Sequence, residues 1–138
     1  MTLILNRRTL ICLQRYNKGR LLNGRNIDLF ANYGHLSLIR YHNDNSIINC
    51  TEYAMNWAAL WGKFDIVKWL HFNRTEGCTT DAMNNAVRAG NLNIVRFLHE
   101  NRSEGCTKDA MDYAINRGYF DIVRFLHDNR TEGCTNNA

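Results

Sequence analysis

Long apolar runs are missing from this sequence. No stretch approaches the roughly 18–20 residues that a membrane-spanning helix needs. The opening MTLILNRRTLICL has a short apolar segment followed by two arginines, which makes it a poor signal peptide. The composition, 45% hydrophobic and 22% charged over 138 residues, is that of one globular domain rather than a disordered chain. We therefore expect an intracellular protein that is not secreted and has no membrane segment.

Acidic residues are missing from one end of the chain. Residues 1–22 contain five basic side chains and no acidic one, whereas the other residues contain 12 basic and 13 acidic side chains. The net charge of +4 therefore describes the N-terminal end rather than the whole protein. Contact with nucleic acid through this end is one hypothesis, but five charges make a small electrostatic footprint and the composition argues against it. These residues are Arg7, Arg8, Arg15, Lys18 and Arg20.

Motifs for catalysis and cofactor binding are missing as well. The chain has no glycine-rich phosphate loop, no paired-carboxylate motif and no zinc-finger spacing. No serine, cysteine or aspartate is positioned by its spacing to form a nucleophile–base pair with a histidine. We therefore predict that the protein is not an enzyme and holds no cofactor or metal ion.

One phrase, however, occurs three times. IVKWLHFNRTEGCT, IVRFLHENRSEGCT and IVRFLHDNRTEGCT begin 28 residues apart, and the last two complete units share 17 of 28 positions. Such a period predicts a repeat protein. We predict one repeat domain, 1–138, consisting of a partial unit 1–22, repeats 23–50, 51–78, 79–106 and 107–134, and the truncated start of a further unit at 135–138.

Each unit has the pattern of two short helices joined by a turn. In the third unit, Thr79 is suited to cap a first helix that carries a narrow stripe of small apolar residues. Gly90 is suited to the left-handed turn that ends it. A second helix with a wider apolar stripe follows, and Asn101 can terminate it. Helices this short are marginal alone, so neighbouring units must stack to bury a continuous core.

The cysteines and histidines of the phrase recur at the same 28-residue interval. Equivalent groups on stacked helices lie about 8–10 Å apart, too far for a disulfide or a shared zinc ion. We interpret the cysteines as buried thiols at the joints between units, and His71, His99 and His127 as partly exposed residues that each bond to a neighbouring turn. The repeated arginines and glutamates are expected to form exposed ion pairs worth about 0.2–1 kcal/mol each.

The segment AMNNAVRAGNLNIVRFL resembles the ankyrin-repeat pattern, and the likeness extends over about residues 8–134. This resemblance implies an all-α, ankyrin-like solenoid of stacked helix-turn-helix units. The unit of 28 residues and the absence of proline depart from the usual ankyrin unit of about 33 residues, which opens with Thr-Pro. The β-hairpin finger should therefore be reduced or absent. Units of this wording resemble the ankyrin-like proteins of giant DNA viruses of amoebae. The matching residues are Ala86, Gly90, Ile94, Val95, Phe97 and Leu98, with the Gly34–His35 pair in the first unit.

Residues that differ between otherwise equivalent units should determine which partner is bound. Tyr53, Trp57 and Trp61 are spaced to form one aromatic line along the first helix of the second unit, and their counterparts in the other units are mostly polar. The line should therefore be partly exposed, although Trp57 could instead fill a core position and Trp61 could pack on the first unit. The resemblance adds that first helices form the concave recognition face. It places there Leu60, Arg88, Ala89, Tyr113, Asn116 and Arg117, with Glu52, Thr80 and Lys108 at the edge.

We therefore predict a protein–protein interaction module that binds a host or viral protein, in the host cytoplasm, on its concave face. An aromatic with charged counterparts, Phe72, is interpreted as a lone exposed side chain without consequence. Two alternatives remain: the basic N-terminal contact with nucleic acid, and a truncated remnant of a longer repeat array. The chain ends at CTNNA, before another apolar stripe, so self-association through the uncapped C-terminal repeat is a further expectation.

Overall fold

The structure is a computed structural model that describes residues 26–44 and 50–131. The predicted partial unit 1–22 with its basic side chains, the start of a further unit at 135–138, and Cys134 lie outside the described residues. Within the described ranges the secondary structure is helical, with no strand, which confirms the all-α prediction. The helices are α1 Asn26–Tyr33, α2 Leu36–Asp44, α3 Glu52–Leu60, α4 Phe64–Asn73, α5 Thr80–Arg88, α6 Leu92–Asn101, α7 Lys108–Arg117 and α8 Phe120–Asn129.

Local sequence sets where the helices begin and end. The Thr79 hydroxyl caps α5 by accepting a hydrogen bond from the Asp81 amide at 3.2 Å, and Thr51 caps α3 in the same way. Gly90 has a φ of +66° in the turn after α5, a conformation that costs glycine little. The side-chain amide of Asn101 donates to the Phe97 carbonyl at 2.8 Å where α6 ends. These three predictions from the repeat are confirmed.

The helices form two rows that share one core. α1, α3, α5 and α7 pack side by side as a row of first helices, and α4, α6 and α8 form a row of second helices. Fully buried small side chains, such as Ala58 and Ala86, allow the first helices to approach closely. The second helices supply larger residues, such as Val95 and Leu98, at 0% and 1% exposure. The core continues without a break from α1 to α8, as a stack of units requires.

A polar clamp joins each described unit to the next. The buried carboxylate of Asp28 accepts hydrogen bonds from the amide and hydroxyl of Thr51, at 2.8 and 2.7 Å. At the next joint, Asn56 Oδ1 accepts from the Thr79 amide at 3.2 Å and Asn56 Nδ2 donates to the Thr79 hydroxyl at 3.0 Å. Asn84 repeats the contact with Thr107. A residue of one first helix therefore fixes the cap of the following one, a role that the sequence analysis missed.

Removing this clamp should loosen the stack. We expect Asn56→Ala to lower the free energy of unfolding by about 1–3 kcal/mol, because Thr79 loses both partners beside a side chain that leaves a buried gap. Asn56→Asp should cost less, since Asp28 already holds Thr51 in the equivalent geometry. Urea denaturation of both variants measures the difference. Equal losses for Ala and Asp would contradict the clamp.

The loop between units is more than a surface ion pair, which corrects the prediction of exposed Arg–Glu ladders. Arg74 pairs with Glu76 two residues later in the same loop, and its other nitrogen donates to Asn43 Oδ1 of the preceding unit at 3.1 Å. The Arg74 side chain is 13% exposed. Arg102 pairs with Glu104 in the same way, and a methyl group on Gly77 would lie 2.6 Å from its Nη2. The pair is therefore partly buried and connects neighbouring units.

The cysteines lie beneath these loops. Cys106 is buried, and Cys50 and Cys78 are half-buried free thiols. Burial raises the pKa of Cys50 to about 12 and that of Cys78 to about 11, with nearby glutamates adding to the effect. Both groups therefore stay protonated at neutral pH and are poor nucleophiles. This agrees with the interpretation of the cysteines as thiols at the joints.

The histidines of the phrase differ from one another. The Nδ1 atom of His99 lies 3.4 Å from Arg130 Nη1 in the following loop, as predicted. His71 departs from the prediction, because its Nδ1 is buried without a hydrogen-bond partner among the described residues. Its ring instead meets Phe97 edge-on at 5.4 Å. Packing against the next unit replaces hydrogen bonding at that joint.

Candidate binding face

The row of first helices leaves one side chain column after another open to solvent. We define the first-helix face as the exposed and half-buried side chains of α1, α3, α5 and α7 and of the turn residue after each. Equivalent positions on this face lie 28 residues apart in sequence and about 8–10 Å apart in neighbouring helices. Because the backbone repeats, differences in side chain between units give the face its chemistry.

The aromatic line, Tyr53, Trp57 and Trp61, lies on α3 at the centre of the described stack. Tyr53 is 43% exposed and stacks on the half-buried Trp57, with ring centroids 5.6 Å apart. Trp61 is 58% exposed, and its Nε1 donates to Asn32 Oδ1 of the first unit at 2.6 Å. Packing and a hydrogen bond thus hold the rings in place while leaving much of their surface to solvent. Part of the alternative also holds, because Trp61 does contact the first unit.

A further aromatic residue extends this surface onto α1. Tyr33 is 57% exposed and occupies the position equivalent to Trp61, one unit earlier. Leu29, the counterpart of Trp57, is half-buried. The sequence analysis missed Tyr33, although the same 28-residue shift would have found it. The apolar part of the first-helix face therefore covers two units rather than one.

The other predicted residues lie around a pocket between α5 and α7. Arg88, Tyr113 and Asn116 line this pocket, which has a volume of about 250 Å³. Asn84, Asp109 and Asp112 complete its polar lining. The guanidinium of Arg117 lies 5.3 Å from the centre of the Tyr113 ring, a cation–π geometry. The structure thus divides the predicted residues into an aromatic group on α3, where Leu60 is half-buried, and a polar group at this α5–α7 pocket.

Several charges on the first-helix face are not used by the fold. The side chains of Asp81, Arg88 and Asp109 make no ion pair or side-chain hydrogen bond with any residue in the described ranges. All three residues are exposed. In the loops, by contrast, Arg74 and Arg102 are paired with glutamates. The charges of the face are therefore available to another molecule.

The edge residues have unequal exposure. Glu52 and Thr80, the first residues of α3 and α5, are half-buried, whereas Lys108, the first residue of α7, is exposed. Ala89, after the end of α5, is exposed as well. Their place at the edge of a binding face stays a prediction, as does the contact of any of these residues with a partner.

Metal binding and membrane insertion find no support in the described part of the chain. Residues 26–44 and 50–131 contain no group of three or more histidine, cysteine, aspartate or glutamate side chains placed to hold a metal ion. None of the helices described there has the length and apolar character to cross a bilayer.

The sequence was compared with protein families and with individual proteins. A family model described as ankyrin repeats, in three copies, matches residues 55–137. No curated protein and no solved structure matches the chain. The matched range covers more than half of the chain and includes α4 to α8 entirely, with most of α3.

Proposed function

Because the chain belongs to the ankyrin-repeat family, whose repeats generally mediate protein–protein interaction, we propose that it is a non-enzymatic module that binds a protein partner on its first-helix face. The aromatic line is the centre of this contact. The loops and clamps hold the units in register, and the first-helix face carries the side chains that vary.

The observation that supports the proposal is the exposure of aromatic rings at positions where the scaffold does not need them. Trp61 is 58% exposed, while its counterparts in the next two units are Ala89 and Arg117. Tryptophan, tyrosine and arginine contribute most to binding energy at protein interfaces. A ring held by Asn32 also loses little rotational freedom when a partner covers it.

Hydrogen exchange of a captured complex tests the location of the contact. The partner is first identified by affinity purification from source cells and mass spectrometry, and then made as a pure protein. On binding, amides of α3, α5 and α7 are expected to gain protection, with the largest gain in α3. The second helices α4, α6 and α8 provide the internal comparison. Protection confined to the second helices would contradict the proposal.

The proposal extends to the origin of the partner. The proline-free units of 28 residues resemble those of ankyrin-like proteins of giant DNA viruses, so we propose a host or viral protein met in the host cytoplasm. Mass spectrometry of the captured material assigns each partner to host or virus. Recovery restricted to secreted or membrane-lumen proteins would contradict this assignment.

Self-association through the last described unit is a second candidate. Ile115 of α7 is 39% exposed, whereas its equivalent in the third unit, Val87, is fully buried by the following unit. Phe120 at the start of α8 is 77% exposed. The surface that is covered at internal joints is thus partly open here and could be covered by a second copy. Sedimentation over a range of concentrations tests this, and a monomer throughout would exclude it.

A further inference from the structure

The α5–α7 pocket is built for one side chain rather than for a small-molecule ligand. Its volume of about 250 Å³ is below the 300–1,000 Å³ typical of ligand pockets. Two carboxylates, Asp109 and Asp112, and one guanidinium, Arg88, are its charged lining. Arg88 forms no ion pair with any described residue. The pocket therefore has an excess of negative charge and a ring, Tyr113, in its wall.

The charge balance selects the side chain that would enter. An acidic group reaching for Arg88 would come into the same small space as two carboxylates, and like charges in contact cost several kcal/mol at an interface. A lysine or arginine would meet those carboxylates and the side-chain oxygen of Asn116. Arg117 is already occupied above the Tyr113 ring, and Asn84 Oδ1 accepts from Thr107, so these two groups leave the centre of the pocket to the incoming cation.

The pocket and the aromatic line lie on the same face at a fixed distance. Trp57, Asn85 and Tyr113 occupy equivalent positions in α3, α5 and α7. Two helix spacings therefore separate Trp57 from Tyr113, or about 16–20 Å. Between them, Asn85 is held against the neighbouring helix by its bond to the Asn56 carbonyl at 3.1 Å. An extended peptide advances about 3.3 Å per residue, so about five or six residues would connect the two sites.

Resting on the proposed function, we propose that the partner segment crossing the first-helix face is extended and carries two determinants. An aromatic or aliphatic residue covers the aromatic line, and a lysine or arginine about five or six residues away enters the α5–α7 pocket. The first determinant supplies apolar contact, and the second sets the direction and register of the segment along the stack.

Selection from a phage library of random dodecapeptides tests the proposal with a defined probe. On the wild-type chain we expect enrichment of peptides with an apolar residue and a basic residue at this spacing. A synthetic peptide of the enriched type is then measured by fluorescence anisotropy. Asp109→Lys should weaken its binding by about 10-fold or more, because a like charge replaces an attractive one at the pocket.

The chain offers a matched control. Asp121 is the second residue of α8, as Asp109 is of α7, and both are exposed. Asp121→Lys therefore makes the same charge reversal at the same point of a helix, away from the first-helix face, and should change binding by less than about 2-fold. Circular dichroism and thermal unfolding show that both variants fold. Equal weakening by the two variants would overturn the pocket as the site of the cation.

The outcomes separate this inference from the proposed function. Peptides that depend on Trp57 and Trp61 but show no basic enrichment, and are indifferent to Asp109→Lys, overturn the inference and leave the proposed function standing. Peptides whose binding is unchanged by Trp57→Ala/Trp61→Ala overturn the aromatic line as the centre of the face. A library that yields no enriched peptide counts against both.

Discussion

Replacing Trp57 and Trp61 together with alanine is expected to weaken partner binding by about 100-fold or more, since a single hot-spot residue at an interface contributes about 2 kcal/mol or more. Trp61 offers more than half of its surface to solvent and is oriented by Asn32. Trp57 supports Tyr53 by ring stacking, so its loss also frees the third member of the line. The affinity is measured by isothermal titration calorimetry with the purified partner.

A matched substitution separates recognition from stability. Phe72 is 71% exposed on α4, in the row of second helices, and Phe72→Ala should change affinity by less than about 2-fold. Both variants must keep the helical spectrum of the wild type. Undiminished binding by a folded Trp57→Ala/Trp61→Ala variant would remove the aromatic line from the contact. A loss of similar size in Phe72→Ala would move the contact to the other row.

Replacing Leu98 with alanine is expected to lower the free energy of unfolding by about 2–5 kcal/mol, the range for a buried leucine truncated in a packed core. Leu98 is 1% exposed on α6, in the middle of the second-helix row. Each unit touches its neighbours alone, so a cavity here weakens the joints on both sides. Guanidinium denaturation followed by circular dichroism measures the change.

An exposed aromatic provides the comparison for Leu98. Phe120→Ala removes a larger side chain, but Phe120 is 77% exposed, so its loss should cost less than about 1 kcal/mol. The contrast tests burial rather than side-chain size as the source of stability. A smaller loss for Leu98→Ala than for Phe120→Ala would show that the core does not run through α6 as described.

Features that depend on near neighbours in sequence were predicted correctly. Thr79 caps α5, Gly90 lies in a left-handed turn and Asn101 bonds the carbonyl four residues earlier. Each of these contacts closes within one turn of chain, so the residue type and its spacing define it. The prediction of two helices per unit succeeded for the same reason, because helical periodicity is local.

Contacts between units were missed or described wrongly. Asn56 and Thr79 are 23 residues apart, and Arg74 reaches Asn43 across 31 residues. Phe72, interpreted as a lone aromatic, forms a ring cluster with His71 and with Phe97 of the next unit. Repetition showed that these residues were constrained, but it did not show which of them meet. That depends on the offset between stacked helices, which is a property of packing.

The sequence by itself determined the class of this protein: 28-residue units, two helices in each, an apolar core and no catalytic motif. Hydrogen bonds within a turn and the period of apolar residues contain that information. The tertiary structure alone decided which polar residues join the units, which rings stay open to solvent, and that Arg88, Asp109 and Tyr113 share a pocket. Side-chain surroundings in a stack depend on how close and at what angle neighbouring helices pack, and many distant residues set those quantities together.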